Sequence, residues 1–287
     1  MAFLAALESS PALLAATAAF LGLCVGSFLN VVIHRLPLMM QAQWRAECAA
    51  LEGLQPPAGP ALNLLTPRSR CPGCGAAITA WQNVPVLSWL WLRGRCAACR
   101  APIGLRYPAV EVAAGALAVL LAWRFGYSPA LAPALVFAWA LLALTFIDLD
   151  TQLLPDDITL PLLWLGLLVN AFGVFTDLRS AVLGAAGGYL LLWSVYWGFR
   201  LVAGKEGMGY GDFKLLAALG AWTGWQVLPF VVLVSALTGA VVGGIALALS
   251  RRGMETRIPF GPYLALGGMA GLLWGREAVV MWLGRFP

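Results

Sequence analysis

Long apolar runs alternate with short polar breaks along most of the chain. The runs follow neither the period of two of half-buried strands nor the 3.6 of amphipathic helices. A hydrocarbon core roughly 30 Å thick takes about 20 apolar residues per helix. Lipid offers the backbone no hydrogen-bond partners, so only helices and closed barrels span it, and unbroken runs select helices. Eight spans are expected, at about 11–33, 107–125, 129–148, 157–176, 180–201, 212–225, 228–249 and 261–283. The sixth is short and has Lys214 near its start. One long polar stretch rich in Pro, Gly and Arg, residues 38–106, separates the first two spans. The expected fold is an all-α polytopic membrane protein of about eight transmembrane helices: a first helix in 1–37, a small insert in 38–106 and a seven-helix membrane core in 107–287.

Composition agrees. The 287 residues are 61% hydrophobic and 11% charged, against about 25% charged in a soluble domain. Residues 1–10 hold Glu8 and no Lys or Arg, so the positive start of a signal peptide is missing. Leu21-Gly22-Leu23-Cys24 lacks the small residue expected before a lipoprotein Cys, and the first run is expected to stay as a membrane helix. Orientation follows from positive charge near the helix ends. With eight spans, 14 of the 18 Lys and Arg fall on the side of the insert: Arg35, Arg45, Arg68, Arg70, Arg93, Arg95, Arg100, Arg106, Arg200, Lys205, Lys214, Arg251, Arg252 and Arg257. Arg124, Arg179, Arg276 and Arg285 fall opposite. The insert is therefore expected in the cytoplasm. The net charge of +5 has its ordinary cause in topology and anionic lipid, and no nucleic-acid partner is implied.

Cys71-Pro72-Gly73-Cys74 and Cys96-Ala97-Ala98-Cys99 are separated by 21 residues, the pattern of a four-thiolate zinc site. Four thiolates leave no open position for water, so such a metal is structural. The alternative, disulfides or a redox dithiol, is disfavoured by a reducing cytoplasm. Cys24 reads as a small buried hydrophobe, and Cys48 has no partner at ligand spacing.

Acids within or at the edge of membrane spans are costly and point to function. Asp148 and Asp150 end the third span, Asp156 and Asp157 open the fourth, and Gly207-Met208-Gly209-Tyr210-Gly211-Asp212 opens the sixth. By the expected topology both clusters lie at the cytoplasmic edge, so Asp148 and Asp212 can face each other. Two close carboxyls hold one shared proton, which is the arrangement of aspartyl proteolysis. Gly209 and Gly211 let backbone approach an extended peptide. Asp156 and Asp157 read first as solvated loop carboxylates, and Asp150 reads equally either way. Asp150, Asp156 and Glu206 together offer negative charge to a basic peptide. His34, the only histidine, marks the end of the first span, while Asn30 one turn earlier suits packing between helices. Trp123, Trp197, Trp222, Trp225 and Trp282 sit near span ends, as interface anchors do.

These residues carry a resemblance. Gly26-Ser27-Phe28-Leu29-Asn30 through His34-Arg35-Leu36-Pro37, both cysteine pairs, Arg106-Tyr107-Pro108 with Glu111, Ile147-Asp148, Leu154-Pro155-Asp156, Lys205 through Lys214 and Ile258-Pro259-Phe260-Gly261-Pro262 together resemble bacterial prepilin peptidases of type IV pilus and type II secretion systems. The G-x-G-D signature is shared with presenilin-type proteases. The resemblance implies that Asp148 and Asp212 are the catalytic aspartates of a bifunctional inner-membrane enzyme. It implies prepilin and pseudopilin substrates with a short basic leader, cut after a Gly on the cytoplasmic side. It also implies methylation of the new N-terminus with S-adenosylmethionine, and zinc on the four cysteines. No G-x-G-x-x-G turn follows a strand, so the residues that bind the methyl donor are not legible. The main rivals are a transporter with acids along its path and a structural subunit of a secretion machine. The first calls for repeats and midplane carboxylates, and the second leaves the G-x-G-D turn unexplained.

Overall fold

A computed structural model describes residues 2–54, 62–205, 207–249 and 259–284. Among the described residues the regular structure is helical, apart from two isolated bridges in the insert. The chain forms two compact units, residues 1–131 and 132–287.

In the first unit, α1 (Ala2–Ser9) leads into α2 (Pro11–Leu51). Ser10 caps α2 by accepting from the Leu13 N–H, and Pro11 takes the first turn, where a missing N–H costs nothing. The helix runs through buried Pro37 to Leu51, so residues 38–51 of the insert are helical. A short 3-10 turn (Ala80–Asn83) and α3 (Leu87–Trp91) follow, then α4 (Arg106–Phe125). α2 and α4 pack with their backbones close. A Cβ on Gly22 would lie 2.7 Å from the Ala114 carbonyl oxygen, and one on Gly26 2.6 Å from Glu111 Cα. Four-residue spacing of small residues is how helices meet in lipid, where apolar surface alone gives no drive. That contact fixes which face of α2 is covered. Cys24 is exposed rather than buried as expected, because it lies off this glycine stripe.

The second unit holds α5 (Leu131–Thr151), α6 (Asp156–Ala171), α7 (Leu178–Ala203), α8 (Tyr210–Thr223), α9 (Leu228–Leu249) and α10 (Gly261–Leu283). The eight helices α2 and α4–α10 fall where the eight spans were expected. Only six are long and apolar enough to cross a bilayer; α6 and α8 are not among them. At 16 and 14 residues, they rise only about 24 and 21 Å. α8 is instead the enclosed centre of its unit. Asp212, Phe213 and every residue from Leu215 to Thr223 are buried. A helix apolar on all sides belongs inside protein. α7 meets it through a stripe of Gly184, Gly188, Leu192 and Tyr196, where a Cβ on Gly188 would lie 2.6 Å from the Leu216 carbonyl oxygen.

The far end of α8 is tied down. Asn170 donates to the carbonyls of Ala221 and Trp222 at 2.8 and 3.0 Å and accepts from the N–H groups of Phe175 and Thr176. It thus satisfies carbonyls that a helix end leaves unpaired. Trp222 is no interface anchor: it is fully buried and donates to the Leu162 carbonyl at 2.8 Å. Its position near a span end does not reveal that α8 is covered on every side.

Candidate active site and metal centre

Asp148 lies in the last turn of α5, 5% exposed, and its Oδ2 accepts from the Gly261 N–H at 2.9 Å. Asp212 lies in the first turn of α8, 7% exposed, and its Oδ2 accepts from the Gly209 N–H at 3.2 Å. A carboxylate there also suits the positive end of the helix dipole. The two carboxyls are within electrostatic reach of each other. Leu154 shows why. A Cβ on Gly211 would lie 2.8 Å from Leu154 Cβ, and one on Gly261 would lie 3.0 Å from Leu154 Cδ2 and 2.6 Å from Asp148 Oδ2. The segment before α6 therefore bridges the glycine turn of α8 and the start of α10. Residues far apart in sequence meet at one place, each aspartate held by one backbone amide.

The insert builds its cysteines on two matching turns. Cys71 N–H donates to the Ala76 carbonyl and Gly75 N–H to Cys71; Cys96 N–H donates to Ala101 and Arg100 N–H to Cys96. Both turns need a positive φ at the fifth position, filled by Gly75 (φ 70°) and by Arg100 (φ 61°). The four sulfurs lie within 4.8 Å of one another, with Cys71 and Cys99 3.7 Å apart. Zn–S bonds of about 2.3 Å set tetrahedron edges of about 3.8 Å. The shifts within the cluster run both ways: backbone N–H groups of Cys99 and Ala98 draw the Cys96 thiol down to about 6, while the neighbouring sulfurs push Cys99 up to about 11. The cluster can hold a metal ion, and its donor set suits zinc.

Residues 20–125 match the bacterial peptidase A24 N-terminal domain, and residues 135–244 match the type IV leader peptidase family. The chain is 55% identical to the prepilin leader peptidase/N-methyltransferase of Stutzerimonas stutzeri over 96% of both chains. It is 53% identical to that of Pseudomonas aeruginosa over 94% of both, and 56% to that of Burkholderia pseudomallei over 91% of this chain and 85% of the relative. The chain belongs to the prepilin leader peptidase/N-methyltransferase family. No solved structure gives a significant match. Membership bears out the resemblance read from the sequence and disfavours a transporter or secretion subunit.

For this prepilin leader peptidase/N-methyltransferase family member, the remaining residues fall as follows. Asp156 forms a two-oxygen pair with Lys214 Nζ at 2.7 and 2.8 Å. Asp150 is exposed at the end of α5. Gly209 keeps open space, since a Cβ there would meet no atom nearer than 3.9 Å, whereas the face of Gly211 is filled by Leu154. Glu206 lies outside the described residues, as do Arg251, Arg252, Arg257, Arg285 and the side chain of Trp282. Asn30 donates to the Tyr107 carbonyl at 3.0 Å, joining α2 to α4. Sequence reasoning missed Gly261 as a partner of Asp148, and a backbone amide leaves no mark in residue type. It named Glu111 only within the resemblance and gave it no role, although the rule applied to Asp148 and Asp212 flags an acid in an apolar run.

Proposed function

We propose that this multi-pass membrane protein cuts the basic leaders of type IV prepilins and pseudopilins after a Gly, at the cytoplasmic face of the inner membrane, and methylates the new N-terminus. The observation that carries the reading is the convergence on Leu154 of the turns that hold Asp148 and Asp212, each aspartate buried and each held through Oδ2 by a backbone amide. Two such carboxyls share one proton. The ionised one takes a proton from water, whose oxygen attacks the scissile carbonyl while the protonated one hydrogen-bonds the carbonyl oxygen. The tetrahedral adduct then collapses: the C–N bond breaks and the amine leaves with a proton from the dyad. Gly209 leaves room for an extended peptide beside Asp212, and Asp150 and Glu206 supply negative charge toward its basic leader, to which Asp156 adds only on release of Lys214. The membrane core of 107–287 carries this chemistry, and the insert of 38–106 carries a structural zinc on Cys71, Cys74, Cys96 and Cys99. S-adenosylmethionine, when bound, supplies a methyl group to the new amine, which gives up one proton as the C–S bond breaks with its electron pair left on sulfur.

The deciding experiment incubates wild type, Asp148→Asn and Asp212→Asn in detergent with a prepilin peptide, with and without S-adenosylmethionine, and weighs the products. Wild type should release the leader and leave a product one methyl heavier. Both Asn variants should stay folded and release none. Leader release by both would remove the dyad. In the same assay Asp150→Lys should raise KM for a basic leader and leave KM for a neutral one alone; an equal change for both removes the leader contact.

A further inference from the structure

The first compact unit contains a cavity of about 480 Å³ walled by α2, the insert and the first turns of α4. Its size lies within the roughly 300–1,000 Å³ of small-molecule sites. The proposed cleavage does not use it. Its lining is chemically mixed: Glu111 is the single carboxylate on it, Arg68 and Arg70 bring positive charge, and Trp89 and Tyr107 bring aromatic rings.

Glu111 is 9% exposed, a costly place for an acid without a task. Ser27 hydrogen-bonds it, and the Val86 N–H donates to its Oε2 at 2.7 Å. Val86 meets Glu111 in an unusual conformation, φ 61° and ψ −48°, at the centre of a γ-turn closed by the Leu87 N–H on the Pro85 carbonyl. β-branched residues avoid positive φ, and such strain collects at functional sites. Arg35, equally buried, donates to the carbonyls of Asn63 and Pro67 at 2.8 and 2.6 Å and so pins the loop whose Pro67 edges the cavity.

S-adenosylmethionine is positive at sulfur and at its amino group, negative at its carboxylate and flat at its adenine. Resting on the methylation proposed above, we infer that this cavity is the methyl-donor site: Glu111 faces the cationic end, the arginines take the carboxylate and Trp89 stacks on the adenine. Each group of the donor has a complement on the wall. Cys71 and Cys96 line the same cavity, so the metal centre forms part of that wall.

The test uses full-length protein in detergent and S-adenosylmethionine tritiated in its adenosyl group. Equilibrium dialysis gives Kd, and ultraviolet crosslinking with peptide mapping gives the place. Crosslinks should fall within residues 27–35 or 67–111. Glu111→Gln and Val31→Phe, the second narrowing the cavity from α2, should each raise Kd about tenfold or more. Zinc content and unfolding midpoint report whether each variant is folded, and crosslinking of wild type decides even if both variants fail to fold. Crosslinks confined to residues 132–287, or wild-type Kd in a folded Val31→Phe, overturn the inference. The methylation reading fails by a different sign: a wild type that trims the leader and adds no methyl.

Discussion

At the scale of single residues, Leu154 sets the spacing of the candidate dyad. It fills the face of Gly211 next to Asp212 and touches Gly261, whose N–H holds Asp148. Gly211→Ala would place a Cβ 2.8 Å from Leu154 Cβ, and overpacking of that kind costs about 1–3 kcal/mol. The displacement falls on the turn that aims Asp212, and misplacement by about 1 Å can cost about 10²-fold in rate. Leader release should therefore drop by about tenfold or more in Gly211→Ala, and Leu154→Gly in the same chain, which removes the Cβ that the new methyl would meet, should restore part of it. Initial rates of the two single variants and the double variant check this; no recovery in the double variant would remove the steric account. The pair of Asp156 and Lys214 is a different case. With the side chains 51% and 31% exposed, it adds about 0–1 kcal/mol, so its loss should scarcely move the unfolding midpoint.

At the scale of elements, the places where α8 meets α7 are backbone on backbone. A Cβ on Gly220 would fall on the backbone of Gly184, which no rotamer change relieves. Gly220→Ala should thus lower the unfolding midpoint far more than an alanine at exposed Gly198, where nothing lies within 4 Å, as thermal melts in detergent would read. Much of this level was legible in the sequence. Apolar runs placed all eight helices, because lipid rewards hydrophobic length so strongly, and the two C-x-x-C turns located the metal cluster. What stayed hidden was which helix is central. The apolar run of α8 looks like that of a lipid-facing span, and only the packing of α6, α7 and α10 around it separates the two. The same ambiguity makes Trp222 look like an interface anchor. The insert boundary was blurred for another reason: Pro37 costs α2 the hydrogen bond of one N–H, and the helix continues past it.

At the scale of the whole molecule, the proposed reading divides two chemistries between two compact units. The cysteine cluster and the proposed donor cavity lie in residues 1–131, and the two aspartates lie in residues 132–287. Stripping the metal should therefore separate the activities. A strong chelator, or Cys71→Ser, should abolish zinc in elemental analysis and open residues 62–105 to protease. Methylation should then fall by a larger factor than leader release. Equal losses would mean that the insert supports both reactions alike. A small insert with little apolar area depends on such a staple, which is why the loss is expected to be local.

The covering of α8 by its neighbours has a further consequence, for the lipid in which the protein works. Helices that touch acyl chains tilt or shift when the bilayer becomes thicker or thinner, each at a modest cost per ångström of mismatch. The helix that carries Asp212 is buried along nearly its whole length, so changes in acyl-chain length reach it only through the helices around it. Reconstituted in vesicles of short-chain or long-chain lipids, the protein should release leaders at nearly the same rate. A strong dependence on chain length would show that the depth of Asp212 is set by the bilayer after all.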